Sequence, residues 1–170
     1  MRQILISPTA SPEEPDAWLC DLVPYSCQNP KQAQAIARAY TPIAPQFQLP
    51  LVTVPPVPCP LVNTQRQHDI LAEIQQADPQ LVILLGDAPI RWFLSAFANQ
   101  WHTLADFGKT HQEYGNVHTI AIGERVYGVL PVVHPRQAAK LGAHSSVWAN
   151  LHDAWAHHTA SKIAIEICRS

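Results

Sequence analysis

Several sequence features that would assign a class or a location are absent from this chain of 170 residues. It has no apolar run near the length that spans a membrane. Its first residues carry one arginine and a very short apolar stretch, which is not the pattern of a secretory signal. The four cysteines form no CxxC pair, which argues against a disulfide framework and a tetrathiolate metal site. We expect a cytoplasmic protein with reduced thiols and no membrane partner.

Motifs of several enzyme classes are also missing. The chain has no GxSxG elbow, no P-loop and no dinucleotide-binding fingerprint, so hydrolase, NTPase and oxidoreductase interpretations lack local support. Histidines do accumulate near the C-terminal end, but His152 and His157 are five residues apart and would point in different directions on a helix. No carboxylate stands at zinc-protease spacing from them. We expect neither a metal nor a cofactor.

Charge and length set further bounds. With 11 lysines and arginines against 13 acidic residues, the formal charge is −2. The protein as a whole therefore does not attract nucleic acid, and any DNA contact must come from a local patch. The length and the hydrophobic content of 47% indicate one domain, residues 1–170, with a core on both faces of a sheet.

The second half of the chain has the pattern of an α/β fold. A helix predicted from Thr64 to about Asp78 precedes the apolar run Leu81 to Gly86, and another helix follows from Asp87. Two further apolar segments flank Gly123-Glu124 and predict a hairpin or a close strand pair. This order predicts a three-layer α/β/α fold around a central, mostly parallel sheet.

The first half is less regular. Arg2 to Ile6 and Ala17 to Val23 are predicted as strands, the second of them buried. Asn29-Pro30 starts a helix that should run to about Tyr40. Residues 41–63 carry seven prolines and predict an extended surface connection outside any regular sheet. That connection is interpreted either as functional or as a structural wrap.

One histidine is placed where ligands usually bind. The strand VLPVV ends at His134, and in open α/β folds the carboxyl edge of the sheet holds the ligand. Pro135 fixes its own φ and biases His134 toward an extended backbone, which restricts the direction of the imidazole. The alternative is a strand-end histidine that only satisfies a neighbouring backbone group.

The order of these segments resembles the uracil-DNA glycosylase superfamily, most closely the branch related to the bacterial and archaeal family-four and family-five enzymes. The resemblance is carried by PQLVILLGDA within Thr64 to Phe97, by FGKTHQEYG, and by VLPVVHP with the later SVWANL. Upstream, WLCDLVPYS is similar to the strand that bears the base-reading asparagine. These segments cover roughly two-thirds of the chain.

The resemblance implies that a base is swung out of DNA and that His134 is the catalytic residue, donating a hydrogen bond to the departing base. In the loop that follows, Arg136 and Lys140 would contact phosphates and Leu141 would enter the minor groove. The structural alternative is a solvated surface loop. The implied substrate-binding residues are Asp21, Gly86, Arg136, Gln137, Lys140 and Leu141.

The chain departs from the family pattern in three places. The glycine-rich N-terminal motif has no counterpart beyond ILISPTASPEE, which offers Glu13 and Glu14. Asp21 stands where an asparagine is expected, and an ionised aspartate only accepts hydrogen bonds. Of the four cysteines that hold the iron–sulfur cluster of family-four enzymes, only Cys27 lies near an expected position. Two functions stay open: a glycosylase that removes a damaged or deaminated base, or a catalytically inactive nucleic-acid-binding or protein-binding module.

Overall fold

The computed structural model describes residues 19–51, 53–138, 145–160 and 162–163. The predicted strand Arg2–Ile6, the loop residues Lys140 and Leu141, and most of the C-terminal tail lie outside these ranges. The elements are α1 (Pro30–Ala35, continued by a π turn, Ile36–Tyr40), α2 (Thr64–Ala77), β1 (Leu81–Leu85), α3 (Asp87–Trp92), β2 (His118–Ile122), β3 (Arg125–Val132) and α4 (Ser146–His158). Short 3₁₀ turns cover Pro45–Phe47, Leu94–Ala96 and Leu104–Phe107.

A small mixed sheet with the order β1-β3-β2 forms the centre of the described chain. β1 runs parallel to β3, from the pair Leu81–Gly128 to the pair Leu85–Val132. β2 runs antiparallel to β3, and the two are joined at Gly123, so the predicted hairpin is confirmed. Helices around a sheet confirm the α/β class. The mostly parallel character does not appear among the described strands, since one pairing is parallel and the other antiparallel.

The central strand β3 is buried because its second half is a continuous apolar run. Val129, Leu130 and Val132 are almost fully buried, as is Val133 just beyond the strand. Such runs are typical of strands covered on both faces. Ile70 and Ile74 of α2 and Leu151 and Trp155 of α4 belong to the same hydrophobic cluster. The sheet and these helices therefore form one core.

The helices match the predicted periodicity but differ at their ends. The capping-box spacing of Thr64 and Gln67 predicts Thr64 as the cap of α2. In the structure Asn63 caps this helix, and its side chain accepts from the backbone N–H of Arg66. The sequence also predicts Asp87 as the cap of α3 and a buried side of that helix that reaches Phe97, but Asp87 is its first residue and the helix ends at Trp92. For α4 the sequence predicts a cap at Ser145 or Ser146 and an inward-facing stripe of Val147, Leu151, Ala154 and Trp155, but Val147 is 58% exposed. Ala149, one turn from the cap, is buried in its place.

The predicted buried strand Ala17–Val23 is wrong over residues 19–23, which pair with no described strand. Leu19 is 90% exposed, and the guanidinium of Arg66 on α2 donates to the carbonyl oxygens of Asp21 and Leu22. Glu73, 2.6 Å from Arg66, holds that side chain in place. Because the Arg66 side chain is hydrogen-bonded to these carbonyl oxygens, they do not pair with a neighbouring strand. Residues 17 and 18 lie outside the described ranges.

The proline-rich connection follows its prediction only in part, because residues 41–48 form turns, with a 3₁₀ turn at Pro45–Phe47, instead of an extended segment. Residues 41–51 and 53–63 contain no strand. A parallel bridge joins them to Gln28, whose N–H donates to the Pro55 carbonyl and whose carbonyl accepts from the Val57 N–H. The Gln28 side chain also donates to the Val54 carbonyl, and the Tyr40 hydroxyl donates to the Pro50 carbonyl. None of the described helices is long and apolar enough to cross a membrane.

Candidate functional site

Three of the predicted site residues meet at the carboxyl edge of the parallel strands. Gly86 follows β1, and its N–H donates to the carbonyl of Val132 at the end of β3, 2.8 Å away. A Cβ atom placed on Gly86 would lie 3.0 Å from Cβ of His134 and 3.4 Å from Oε1 of Gln137. Gly86, His134 and Gln137 therefore form one local cluster, which we call the strand-end cluster.

The imidazole of His134 is exposed, and one of its nitrogens is occupied. Nδ1 accepts the backbone N–H of Arg136 at 3.1 Å. A neutral ring that accepts at Nδ1 carries its proton on Nε2. Within the described ranges nothing is hydrogen-bonded to that Nε2, so the strand-end cluster presents an N–H donor to solvent.

The loop after His134 is folded back on the histidine. Its carbonyl accepts from the N–H groups of Gln137, at 2.7 Å, and Ala138, at 3.2 Å. This tight turn brings the Gln137 amide alongside Gly86, where it is partly buried. Arg136, which lies between His134 and Gln137 in this turn, is exposed. The turn therefore presents an imidazole, an amide and a guanidinium within four residues.

A buried tyrosine, Tyr114, is hydrogen-bonded to the backbone at the end of β3. The backbone N–H of Val133, next to His134, donates to the Tyr114 hydroxyl at 2.9 Å. The same hydroxyl lies 2.9 Å from Nδ1 of His152 on α4. Burial raises the pKa of Tyr114 to about 12, although the Val133 N–H bond acts in the opposite direction. The phenol stays protonated at neutral pH.

The sequence reasoning missed both Tyr114 and His152 as partners of the site. FGKTHQEYG carries part of the family resemblance, yet its tyrosine is the residue that contacts the strand end. The sequence offers one signal for Tyr114, namely a tyrosine just before two apolar strands. Such a tyrosine is expected to be buried, and a buried tyrosine hydroxyl usually has a hydrogen-bond partner. Which partner it finds depends on long-range packing.

Asp87 also stabilises the carboxyl edge of the sheet, a role that the sequence did not indicate. Its Oδ1 accepts the N–H of Leu104 at 2.8 Å. This bond ties the 3₁₀ turn Leu104–Phe107 to the start of α3, directly after Gly86. In that turn Asp106 accepts from the N–H groups of His102 and Thr103, and these bonds lower the pKa of its carboxyl.

The remaining predicted contacts are not joined to the strand-end cluster. Asp21 has an exposed side chain, and its backbone is bound to Arg66 of α2. No hydrogen bond or ion pair of the described residues links Asp21 to Gly86, His134 or Gln137. Lys140 and Leu141 lie outside the described ranges, so their predicted DNA contacts stay predictions.

The described cysteines belong to no group of side chains that could hold a metal ion. Cys20, Cys27 and Cys59 are free thiols. Desolvation against α2, together with Glu73, raises the pKa of Cys20 to about 12, and the nearby Arg66 opposes this only in part. No three His, Cys, Asp or Glu side chains among residues 19–51, 53–138, 145–160 and 162–163 are grouped to hold a metal ion.

A groove of about 530 Å³ lies elsewhere, along α1 and its π turn. It contains none of the predicted site residues. Its lining is Lys31, Gln34, Ala35, Ala37 and Arg38.

Comparisons with protein-family models, with curated proteins and with solved structures give no match for this chain. What can be said about its function therefore rests on the strand-end cluster itself and on the chemistry of its side chains.

Proposed function

We propose that this chain is a uracil-DNA glycosylase-superfamily protein with the three-layer arrangement of that superfamily. It removes a damaged or deaminated base from DNA by hydrolysing the N-glycosidic bond. The observation that carries the proposal is the state of His134. Its Nδ1 is taken by the Arg136 N–H, and its Nε2–H is exposed at the carboxyl edge of two parallel strands.

Breaking an N-glycosidic bond leaves negative charge on the base and positive charge on the sugar. A donor fixed where the negative charge develops stabilises the transition state, and removing one such donor typically costs about 100- to 1,000-fold in rate. His134 Nε2–H is a donor of this kind. It is held by the turn at Pro135 and by close packing on Gly86, so little reorganisation is needed during the reaction.

Gln137 is the side chain best suited to identify the base. A carboxamide both donates and accepts hydrogen bonds, as uracil requires at its O4 and N3–H groups, whereas an ionised carboxylate only accepts. The Gln137 amide lies beside His134, so one base could meet both groups. We therefore assign base reading to Gln137 and keep Asp21 as a secondary substrate contact.

DNA is the proposed partner, bound by the loop that begins at Arg136. That guanidinium is exposed next to the strand-end cluster, where a phosphate flanking a flipped nucleotide would lie. Lys140 and Leu141 extend the same proposal as a phosphate contact and a minor-groove wedge. Hydrolysis also needs a positioned water, for which Glu13 and Glu14 are the sequence candidates.

The test is base release from single- and double-stranded oligonucleotides that carry uracil, hypoxanthine or xanthine. The variants are His134→Ala and, as a matched control, His68→Ala, which removes an exposed histidine on α2. We expect release by the wild type and by His68→Ala, with a loss of about 100- to 1,000-fold in His134→Ala. A folded wild type that releases no base but binds an abasic analogue would contradict the catalytic proposal and favour an inactive DNA-binding module.

A further inference from the structure

We infer that Tyr114 is a positioning residue for His134 and that its hydroxyl group, rather than its aromatic ring, holds His134 in position. Its effect on base release rests on the proposed function. Its effect on the His134 ring does not, and the two are measured separately below.

The parallel ladder between β1 and β3 ends two residues before His134. The last pair of β1 and β3 is Leu85 with Val132. Val133 is therefore the first residue beyond the ladder, and it is fully buried. A buried backbone N–H without a hydrogen-bond partner is unfavourable, because it loses its bond to water on folding. The Tyr114 hydroxyl accepts this N–H and so fixes the Val132–Val133 peptide, one peptide unit before the one that joins Val133 to His134.

The hydroxyl is itself held from the other side. Its own proton has Nδ1 of His152 as an acceptor at 2.9 Å, when the His152 ring is the Nε2–H tautomer. One oxygen thus connects the loop before β2, the end of β3 and the middle of α4. The loop is further fixed to α4, because Nε1 of Trp155 donates to the Gly115 carbonyl at 3.0 Å.

The hydrogen bond from the Val133 N–H to the Tyr114 hydroxyl controls the position of the atoms that set the His134 tautomer. The chain turns directly after Val133, and the N–H of Arg136, two residues after His134, donates to Nδ1 of His134. If the Val133 peptide is released, the turn can rotate and this 3.1 Å bond is the first to lengthen. The ring then loses the group that keeps its proton on Nε2.

The protein contains its own control for the packing of a tyrosine ring. Tyr127 on β3 is 4% exposed, the same as Tyr114. Its hydroxyl is buried and has no hydrogen-bond partner among the described residues. Replacing each tyrosine by phenylalanine therefore removes the same atom from two equally buried rings. Only at position 114 does the change remove a hydrogen bond.

The experiment compares Tyr114→Phe with Tyr127→Phe by two NMR measurements. The first is the ¹H–¹⁵N spectrum of the His134 ring at about pH 8.5, above the ordinary range of histidine titration. The second is hydrogen exchange at the Val133 amide. In Tyr114→Phe we expect a shift of His134 from the Nε2–H form toward a tautomer mixture, and at least about tenfold faster exchange at Val133. Tyr127→Phe should match the wild type in both.

A purely structural role would lower the melting temperature of Tyr114→Phe and leave the His134 tautomer unchanged, and that result would overturn the inference. If Tyr114→Phe does not fold, His152→Phe serves in its place, because it removes the acceptor of the hydroxyl proton. It should shift the His134 tautomer in the same direction, and an unchanged ring would again overturn the inference.

Base release provides the third readout. Because the hydroxyl acts through His134, Tyr114→Phe should lower kcat by about tenfold and change KM little. If no variant and no wild-type protein releases a base, the proposed function fails, while the two NMR measurements still decide whether Tyr114 positions His134.

Discussion

Gly86 and His134 are packed so closely that a side chain at position 86 would require His134 to shift. A Cβ atom added there would lie 3.0 Å from Cβ of His134 and 3.4 Å from its backbone nitrogen. The backbone of Gly86 has a φ of +82°, in the region that favours glycine. The contact places the end of β1 against the residue that ends the β3 segment, and the site depends on that placement.

We predict that Gly86→Ala displaces His134. The substitution forces a side chain into a positive-φ position, which destabilises by about 1–2 kcal/mol, and it also pushes on the His134 backbone. Gly123→Ala is the control, since Gly123 also has a positive φ but its nearest neighbour to an added Cβ is 3.6 Å away. Both variants should lose stability in chemical denaturation. Only Gly86→Ala should also alter the His134 ring spectrum, and equal spectra would argue against this contact.

His118 should make stability depend on pH. Its ring packs edge-on against Trp101 and Phe107, at centroid distances of 5.5 and 4.9 Å, and its Nε2 is buried without a described partner. Desolvation lowers its pKa from the ordinary value of 6.5. The unfolded chain therefore binds a proton at higher pH than the folded one, so the free energy of unfolding decreases as the pH falls through and below about 6.5.

His118→Phe should remove that part of the pH dependence, because phenylalanine keeps the aromatic packing and does not titrate. The measurement is urea denaturation at a series of pH values from neutral to mildly acidic. An identical slope in wild type and His118→Phe would show that the buried ring is not the source.

The cap of α2 gives a direct comparison of two neighbouring residues. Asn63 accepts the N–H of Arg66 at 2.8 Å, while Thr64 has no such bond. Asn63→Ala should lower stability by about 1 kcal/mol, the usual effect of losing an N-cap. Thr64→Ala, at the residue that the sequence favoured as cap, should change stability little. The reverse order in thermal denaturation would place the cap at Thr64.

Gln137 should determine which base is accepted. Gln137→Glu removes the donor and places a carboxylate beside the base as it becomes negative, so release of uracil should fall more than tenfold. Gln76→Glu, an exposed change on α2 with the same chemistry, should have no effect. Loss of activity in both variants would indicate that added charge, not base reading, is responsible.

The parts of the fold that the sequence predicts are those set by local pattern. The apolar run of β1, the glycine turn between β2 and β3, and the proline that ends α2 each act within a few residues. His134 at a strand end is also of this kind, because it follows from a strand pattern and the proline after it.

What the sequence does not predict depends on contacts between distant residues. Residues 19–23 have a strand-like composition, but Arg66 binds their carbonyls from 44 and 45 positions away in the chain. Tyr114 reaches Val133 across 19 residues and His152 across 38. No periodicity encodes these bonds, since each requires the sheet and α4 to be packed first.

The central claim is that His134 stabilises the departing base, and the most direct measurement compares two leaving groups. Single-turnover release of uracil and of 5-fluorouracil, whose anion is the more stable, would be followed in wild type and His134→Ala. If His134 donates to the base anion, its removal should slow uracil by about 100- to 1,000-fold and 5-fluorouracil distinctly less. Equal losses for the two bases, or none, would contradict the account.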